Sequence, residues 1–572
     1  MAHNILNIAF VWNQHQPYYH DEQRGLFIMP WVRLHAAKDY YRMAALLEQH
    51  PEIKATFSLS PSLLDQLESY VRGQTPDLYL NVMKSARELD EREQSFLLRH
   101  YFEIQHERVI SKYPFYWQLP ERRGFAEPHA QELERARQRY TVQDYLDLQV
   151  WFNLVWIDPE IRRQDPFLRR LVRKGRNFSE MEKEEVVKYH FSLMEDVVPV
   201  HRRLQKKGQI EIITTAYYHP ILPLLIVNYT ALRATPGLPL PQRFTFPEDA
   251  RIQVEMAVEQ YRRHFNEEPT GFGRRKWLLV QRRFPCWAIS VSAGRLQTRR
   301  SWPAHLTWRS TATVTAMCLT LKSSTSLIWF AGRERNYLFV FRDHHLSDRI
   351  GFVYQHMGAD DAAADLVHRL QVIREKLEGC RGSYLVTIAL DGENAWEWYA
   401  GEKNDFLHAL YRSIADAPYL QTVTVSEYLA ENPPKRRITH LTSGSWMDHN
   451  LARWIGTEQK NRLWNCLLET RWAVKAWADR NPETHKLKKA LGSIYKAEGS
   501  DFTWWVDSMP YHLAAPLEVP FRQHLFNAYL AMDSKPPPFL CEPLIKAPPG
   551  EAWHKESVAD IPVCMVPAWK DM

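Results

Sequence analysis

The chain has 572 residues, of which 45 % are hydrophobic and 24 % charged. This is an ordinary globular balance, too long for one small core, and it excludes a disordered chain. The net charge of +6 is local: residues 273–335 hold 12 Lys/Arg against one acid, Glu334, and the remainder carries 61 basic against 66 acidic residues, so no nucleic-acid partner is implied.

In chain order, Ile5–Trp12 is an apolar run that reads as a first strand, too short to span a bilayer. Pro30–His50 has helical spacing, Ile53–Leu59 reads as a strand and Pro61–Tyr70 as a helix. A β-α-β-α order predicts a parallel sheet with helices outside it, as a barrel or an open sheet. From about Tyr79 to Lys206 the chain is charged, poor in glycine and helical in pattern, which predicts an all-helical insertion. Strands are expected again at Gln209–Thr215, Tyr337–Phe341, Ile350–Tyr354 and Ser383–Leu390. After Pro433-Pro434 the pattern turns helical at Asn461–Arg480, Thr484–Glu498 and Phe521–Met532, with a Trp-rich turn at Phe502–Val506 and a Pro-rich tail from Lys535. The expected division is a catalytic unit over 1–432, with its insertion at about 79–206, and a helical unit over 433–572.

Aromatic residues make up 13 % of the chain, with 21 Trp and 26 Tyr. Flat rings stack on the apolar faces of sugars, although large cores use them too. The six cysteines, at 286, 318, 380, 466, 541 and 564, form no C-x-x-C pair. Reduced thiols and a cytoplasmic protein are expected, with no secretory leader, no membrane contact, and no cofactor or metal site built on cysteine.

Five constellations carry candidate chemistry. Trp12-Asn13-Gln14-His15-Gln16-Pro17 follows the first strand, where loops of parallel α/β folds form the active face. His15 and Gln16 offer donors and acceptors for sugar hydroxyls, and the bland alternative is that His15 bonds the backbone. Tyr217-Tyr218-His219-Pro220 repeats the arrangement after a later strand, with Tyr217 and Tyr218 as platforms and His219 as a hydroxyl ligand. The run Val386–Leu390 leads into Asp391-Gly392-Glu393-Asn394-Ala395-Trp396. A carboxylate closing a buried strand beside tryptophan is expected to be desolvated, and a raised pKa is what a general acid needs. Glu393 is the rival acid, and a helix-capping role for Asp391 is the bland alternative. Phe341-Arg342-Asp343-His344 ends another strand, with His344 and Asp343 facing the site, and Ser443-Gly444-Ser445-Trp446 covers it from the helical region.

Together these motifs resemble glycoside hydrolase family 57, over Ile5 to about Gly271 and from about Tyr337 to near the C-terminus. His15-Gln16-Pro17 and the strand ending in Asp391 carry most of the resemblance. It implies an α/β fold, an incomplete (β/α)7 barrel with a helical insertion and a C-terminal helical domain. It also implies a metal-independent, retaining hydrolysis or transglycosylation of α-glucans such as starch, glycogen or maltodextrin. Asp391 matches the acid/base of the family pattern, with Trp12, His15, Gln16, Tyr218, His219, His344, Trp396 and Trp446 binding substrate. Asn13 stands where the pattern has a histidine.

The family's nucleophile motif, an aromatic-Pro-x-Glu segment, is missing. It should follow Pro269-Thr270-Gly271-Phe272, where the chain reads Gly273-Arg274-Arg275-Lys276-Trp277, and no Asp or Glu occurs from Pro269 to Arg333. Gly-Arg-Arg-Lys-Trp can be encoded by GGC CGG CGG AAG TGG. One T restored ahead of that run gives TGG CCG GCG GAA GTG, or Trp-Pro-Ala-Glu-Val. The expectation is a single-base deletion near codon 273 with a compensating slip near codon 335, and a lost glutamate at or beside Lys276. Lysine is cationic at neutral pH and cannot replace a carboxylate nucleophile, so the chain as written is expected to be a poor catalyst. The competing readings are a carbohydrate-binding pseudoenzyme and a metal-dependent, polysaccharide deacetylase-like hydrolase in which His15, His219 and Asp391 meet at a metal.

Overall fold

The computed structural model describes residues 5–125, 130–274, 277–280, 328–331, 336–380, 382–393, 395–433, 436–438, 443–445, 448–482, 484–509 and 511–545. Four parallel strands form the heart of the fold, in the order Leu385–Asp391, Leu6–Gln14, Ala55–Leu59, Ile210–Ile213, with Leu420–Thr422 pairing the start of Leu6–Gln14. Each strand is followed by helix, as the β-α-β-α pattern predicts.

Side chains alternate across the central strand. Leu6, Ile8, Phe10 and Trp12 join Phe57, Ile212 and Ile388 in an outer core under the helices, including Leu366 and Leu410. Ala9 and Val11 face the other way, into an inner core with Ile213, Val340, Leu385 and Val423. The same phase puts Asn13 and its register partner Asp391 on the inner face, at the ends of their strands. Phe57 fills the outer core, edge-on to His201 at 4.9 Å between ring centroids. Phe57→Ala should cost about 3–5 kcal/mol of stability by urea unfolding; a loss under about 1 kcal/mol would show that this layer is not a packed core.

A second sheet runs Arg436–Ile438, Ile328–Ala331, Asn336–Phe341, Trp277–Val280, Gly271–Arg274. Single bridges, Thr214 to Phe272 and Arg342 to Thr387, join it to both edges of the parallel sheet. The wall is therefore an incomplete barrel. Gly271–Arg274 pairs antiparallel with Trp277–Val280, which pairs antiparallel with Asn336–Phe341. A parallel β-α unit needs a crossover of a dozen or more residues, and two residues separate the first two of these strands.

The insertion is helical, from Leu78–Asn81 to the 27-residue helix Glu180–Lys206, around a core containing Tyr101, Trp151, Phe152 and Trp156. The C-terminal helices Glu458–Ala478, His485–Ala497 and Tyr511–Ala531 do not form a separate core: Leu463, Trp464, Ile494 and Phe521 pack with Tyr19, Phe27 and Tyr217 of the barrel loops.

Three expectations need correction. Ile350–Tyr354 is not a strand but lies in the helical turns Arg349–Val353 and Tyr354–His356. Ile350 and Tyr354, four apart, are buried while Phe352 and Val353 are exposed, a helical period. Phe502–Val506 is not simply a turn, because Asp501–Trp505 forms a short helix. Cys541 is disulfide-bonded, whereas Cys380 and Cys466 form no disulfide. Pairing follows proximity in the fold, which sequence spacing does not report. Among the described residues no helix is long and apolar enough to cross a membrane.

Candidate active site

Asp391 ends its strand on the inner face, half-buried, and accepts a hydrogen bond from Asn13 Nδ2 at 3.2 Å. The pairing continues one step further, with Gly392 N–H donating to Asn13 O at 2.8 Å. A Cβ at residue 392 would lie 3.1 Å from Gln14 Cγ, so glycine lets the loop lie flat on the first strand. Glu393 then turns inward, 3 % exposed. Burial, together with the nearby carboxylates of Asp501 and Glu393, holds the Tyr19 hydroxyl well above its usual range; burial and Glu393 do the same to Tyr40. Both phenols stay protonated.

His15 lies two residues beyond Asn13 and is 5 % exposed. Its Nδ1 is 2.9 Å from Ser60 Oγ, and its Nε2 is 2.8 Å from Asp501 Oδ2. Ser60 follows the strand Ala55–Leu59 and caps the helix Pro61–Val71, accepting from Leu63 N–H, with proline at the first helical position. The His219 ring stacks on His15 at 4.2 Å between centroids. Tyr218 and His219 both have φ of +58°, left-handed backbone at two consecutive residues with side chains. Such strain gathers at functional sites, and here it turns His219 back over the sheet.

His15, His219 and Asp501 each offer a ligand atom, all within 4.8 Å of one another, and are the residues that could hold a metal. Donors around one tetrahedral zinc sit about 3.3–3.5 Å apart, given bonds of about 2.0–2.2 Å. The 2.8 Å separation of His15 Nε2 from Asp501 Oδ2 is instead a direct hydrogen bond. Asp391, expected to share that cluster in a metal-dependent hydrolase, is not among its members; Asp501 takes the place.

The other expected site residues divide. Gln16 is buried with its amide engaged by two phenols, donating to Tyr40 Oη at 2.8 Å and accepting from Tyr19 Oη at 2.9 Å. It therefore shapes the loop rather than presenting a free amide. Tyr218 is buried, edge-on to Tyr18 at 5.4 Å. Trp12 and Trp396 lie in the outer core, 5.9 Å apart and fully buried, with Trp396 Nε1 bound to Gly392 O at 2.8 Å. Both rings are enclosed behind the strand ends, Trp12 because it is in phase with Ile8 and Phe10 on its strand. Trp398, two residues on, is the exposed ring of that loop. His344 begins the helix His344–Asp348, with a side chain 72 % exposed and paired to Asp348 at 3.0 Å, and does not join the cluster. Asp343 caps that helix through Leu346 N–H. Trp446 and Lys276 lie outside the described residues.

Sequence reasoning missed Asp501 and Ser60. The local signal for Asp501 is a Ser500-Asp501 doublet opening a helix that ends in Trp504 and Trp505. Just before it stands Glu498, fully enclosed, accepting from Gln253 Nε2 at 2.6 Å. Burial first, and then the Asp249 carboxylate, which Arg471 grips at 2.7 and 2.9 Å, hold the Glu498 carboxyl well above its usual range. An unfolded glutamate ionises near pH ~4.3, so this group costs stability as pH rises from there through its folded value. Glu498→Gln should therefore lose less stability between pH 5 and 8 than the parent, measured by urea midpoints; an equal or steeper fall would contradict the assignment.

The chain matches the family model described as Glycosyl hydrolase family 57 over residues 9–278 and 312–440. No curated protein sequence matches it. Its fold is similar to that of a GH57 branching enzyme from Thermococcus kodakaraensis, solved with glucose, at TM-score 0.54 and 14 % identity over 92 % of this chain and 90 % of that one. It is also similar to the α-amylase AmyC of Thermotoga maritima, at TM-score 0.50 and 12 % identity over 92 % and 93 %. A third similar structure is a GH57-type branching enzyme from Pyrococcus horikoshii, at TM-score 0.50 and 15 % identity over 92 % and 94 %.

Proposed function

Because the chain belongs to glycosyl hydrolase family 57, we propose that it is built to cleave or transfer α-glucans by a retaining mechanism, with Asp391 as acid/base. The observation that carries this is Asp391 itself: a carboxylate closing an inner-face barrel strand, held by Asn13 and two residues from Glu393 in a loop backed by Trp12 and Trp396. The α-glucan class is supported by the branching enzymes and the α-amylase among the similar structures.

In this reading Asp391 protonates the departing glycosidic oxygen and then takes the proton from the incoming water or sugar hydroxyl. The Asn13 side-chain amide donates to one carboxylate oxygen and so orients the group. Buried His15 and His219 define the wall on the other side of the first strand's end, and Trp398 offers an exposed ring at the rim.

The nucleophile belongs at or beside residue 276, where the chain has lysine. We attribute its absence to a shifted reading frame across about 273–335. Two observations support this. The family match breaks at 279–311, inside that window. The strands Gly271–Arg274 and Trp277–Val280 form an antiparallel pair where a parallel β-α unit is expected. The same lysine is what favours the second reading, a carbohydrate-binding pseudoenzyme. Resequencing the gene across codons 270–340, with turnover of maltooligosaccharide by the purified chain, separates the two. An intact frame and a protein that binds maltoheptaose without cleaving it would establish the pseudoenzyme; cleavage by the chain as written would refute both the missing nucleophile and the pseudoenzyme.

A further inference from the structure

We propose that Asp501, from the C-terminal helical region, is a positioning residue for the sugar site, fixing the tautomer and plane of His15. The proposal rests on the α-glucan reading for the identity of the sugar, and on geometry alone for the pairing.

The hydrogen-bond chain runs in one direction. A carboxylate only accepts, so His15 Nε2, 2.8 Å from Asp501 Oδ2, carries a proton. In the neutral ring Nδ1 is then the acceptor, and Ser60 O–H donates to it across 2.9 Å. Ser60 Oγ in turn accepts from Leu63 N–H at the start of a helix. Backbone amide, hydroxyl, imidazole and carboxylate thus form a relay from the barrel into the C-terminal region, linking residues 486 positions apart. An imidazole oriented by a carboxylate at its far nitrogen is a common way to fix a functional histidine.

Asp501 reaches His15 because the chain around it is docked on the same loop. A Cβ at Gly499 would lie 2.9 Å from Tyr218 O, so only glycine permits this approach. Ser500 N–H donates to His219 O at 3.3 Å, and Ser500 Oγ lies 3.4 Å from His219 Nδ1. Consecutive residues, Ser500 and Asp501, therefore each hold one of the two stacked imidazoles. Asp501 also begins the short helix that carries Trp504 and Trp505, both half-buried. The sugar site is composite, and the C-terminal helices belong to it.

The test uses the full chain with selective ¹⁵N-histidine labelling, His15 being assigned through His15→Gln, alongside calorimetric titration with maltoheptaose. The parent should show the Nε2–H form of His15 and bind maltoheptaose. Asp501→Asn should give a mixture of His15 tautomers and binding at least 10-fold weaker, while Asp501→Glu recovers most of both. A parent His15 in the Nδ1–H form overturns the proposal without any variant. Asp501→Asn with parental tautomer and affinity overturns it too. A parent that shows the Nε2–H form yet binds no maltooligosaccharide supports the relay and sinks the α-glucan reading instead.

Discussion

Purified as written, the chain should release no reducing sugar from soluble starch above background. A gene with one base restored ahead of codon 273 and the slip near codon 335 reversed should yield an enzyme faster by about 10³-fold or more. The reason is a missing half of a pair. Retaining transfer needs two carboxyl groups about 5–5.5 Å apart, one forming the covalent bond and one moving the proton. On the proposed reading the attacking anion belongs at or beside position 276, where the chain has lysine, a cation at neutral pH, and the nearest acids in sequence are Glu268 and Glu334. If the oriented groups of the site bind sugar as proposed, binding should survive where turnover does not. Equal turnover by both proteins, measured by reducing-end assay, would end this account of the window.

In the restored enzyme, Asp391→Asn should lower kcat/KM on maltoheptaose by about 10²–10⁴-fold, with KM within a few-fold of the parent. Asparagine keeps the size and the contact with Asn13 but moves no proton. The loss should shrink on an α-glucosyl fluoride, whose leaving group needs no protonation, which separates acid catalysis from simple misfolding. Full activity of Asp391→Asn on maltoheptaose would remove Asp391 from the chemistry and leave Glu393, buried two residues on, as the acid to examine.

Much of the frame was legible because local pattern and tertiary role agree. The apolar run into Asp391 is a strand, and its position at the strand end follows from the run's length. The glycine-poor segment up to Lys206 is helical because its apolar spacing has a helical period and its helices carry clear caps such as Ser179. The full burial of Trp12, expected as a substrate contact, has a cause that the sequence does contain. Strand alternation puts Trp12 in phase with Ile8 and Phe10, hence outside, while Asn13 and Asp391 share the inner face. Gln16 looked like a sugar ligand because its clamp, Tyr19 and Tyr40, is assembled only in the fold. His344 stands exposed at the start of its helix, paired with Asp348, while Leu346 and Ser347 of the same helix face the core. Asp501 was invisible for the opposite reason: no local period reports a contact across most of the chain, and a single aspartate before two tryptophans is weak evidence alone. The strand expected at Ile350–Tyr354 failed because a short apolar run suits either period, and the Asp343 cap settles it as helix.

The central claim is that Asp391 works opposite a glutamate restored near position 276. The most direct measurement is mass spectrometry of peptides from the restored enzyme after reaction with a 5-fluoro-α-glucosyl fluoride. One glycosyl group should appear, on the restored glutamate. Turnover accompanied by an adduct on any other residue would contradict it.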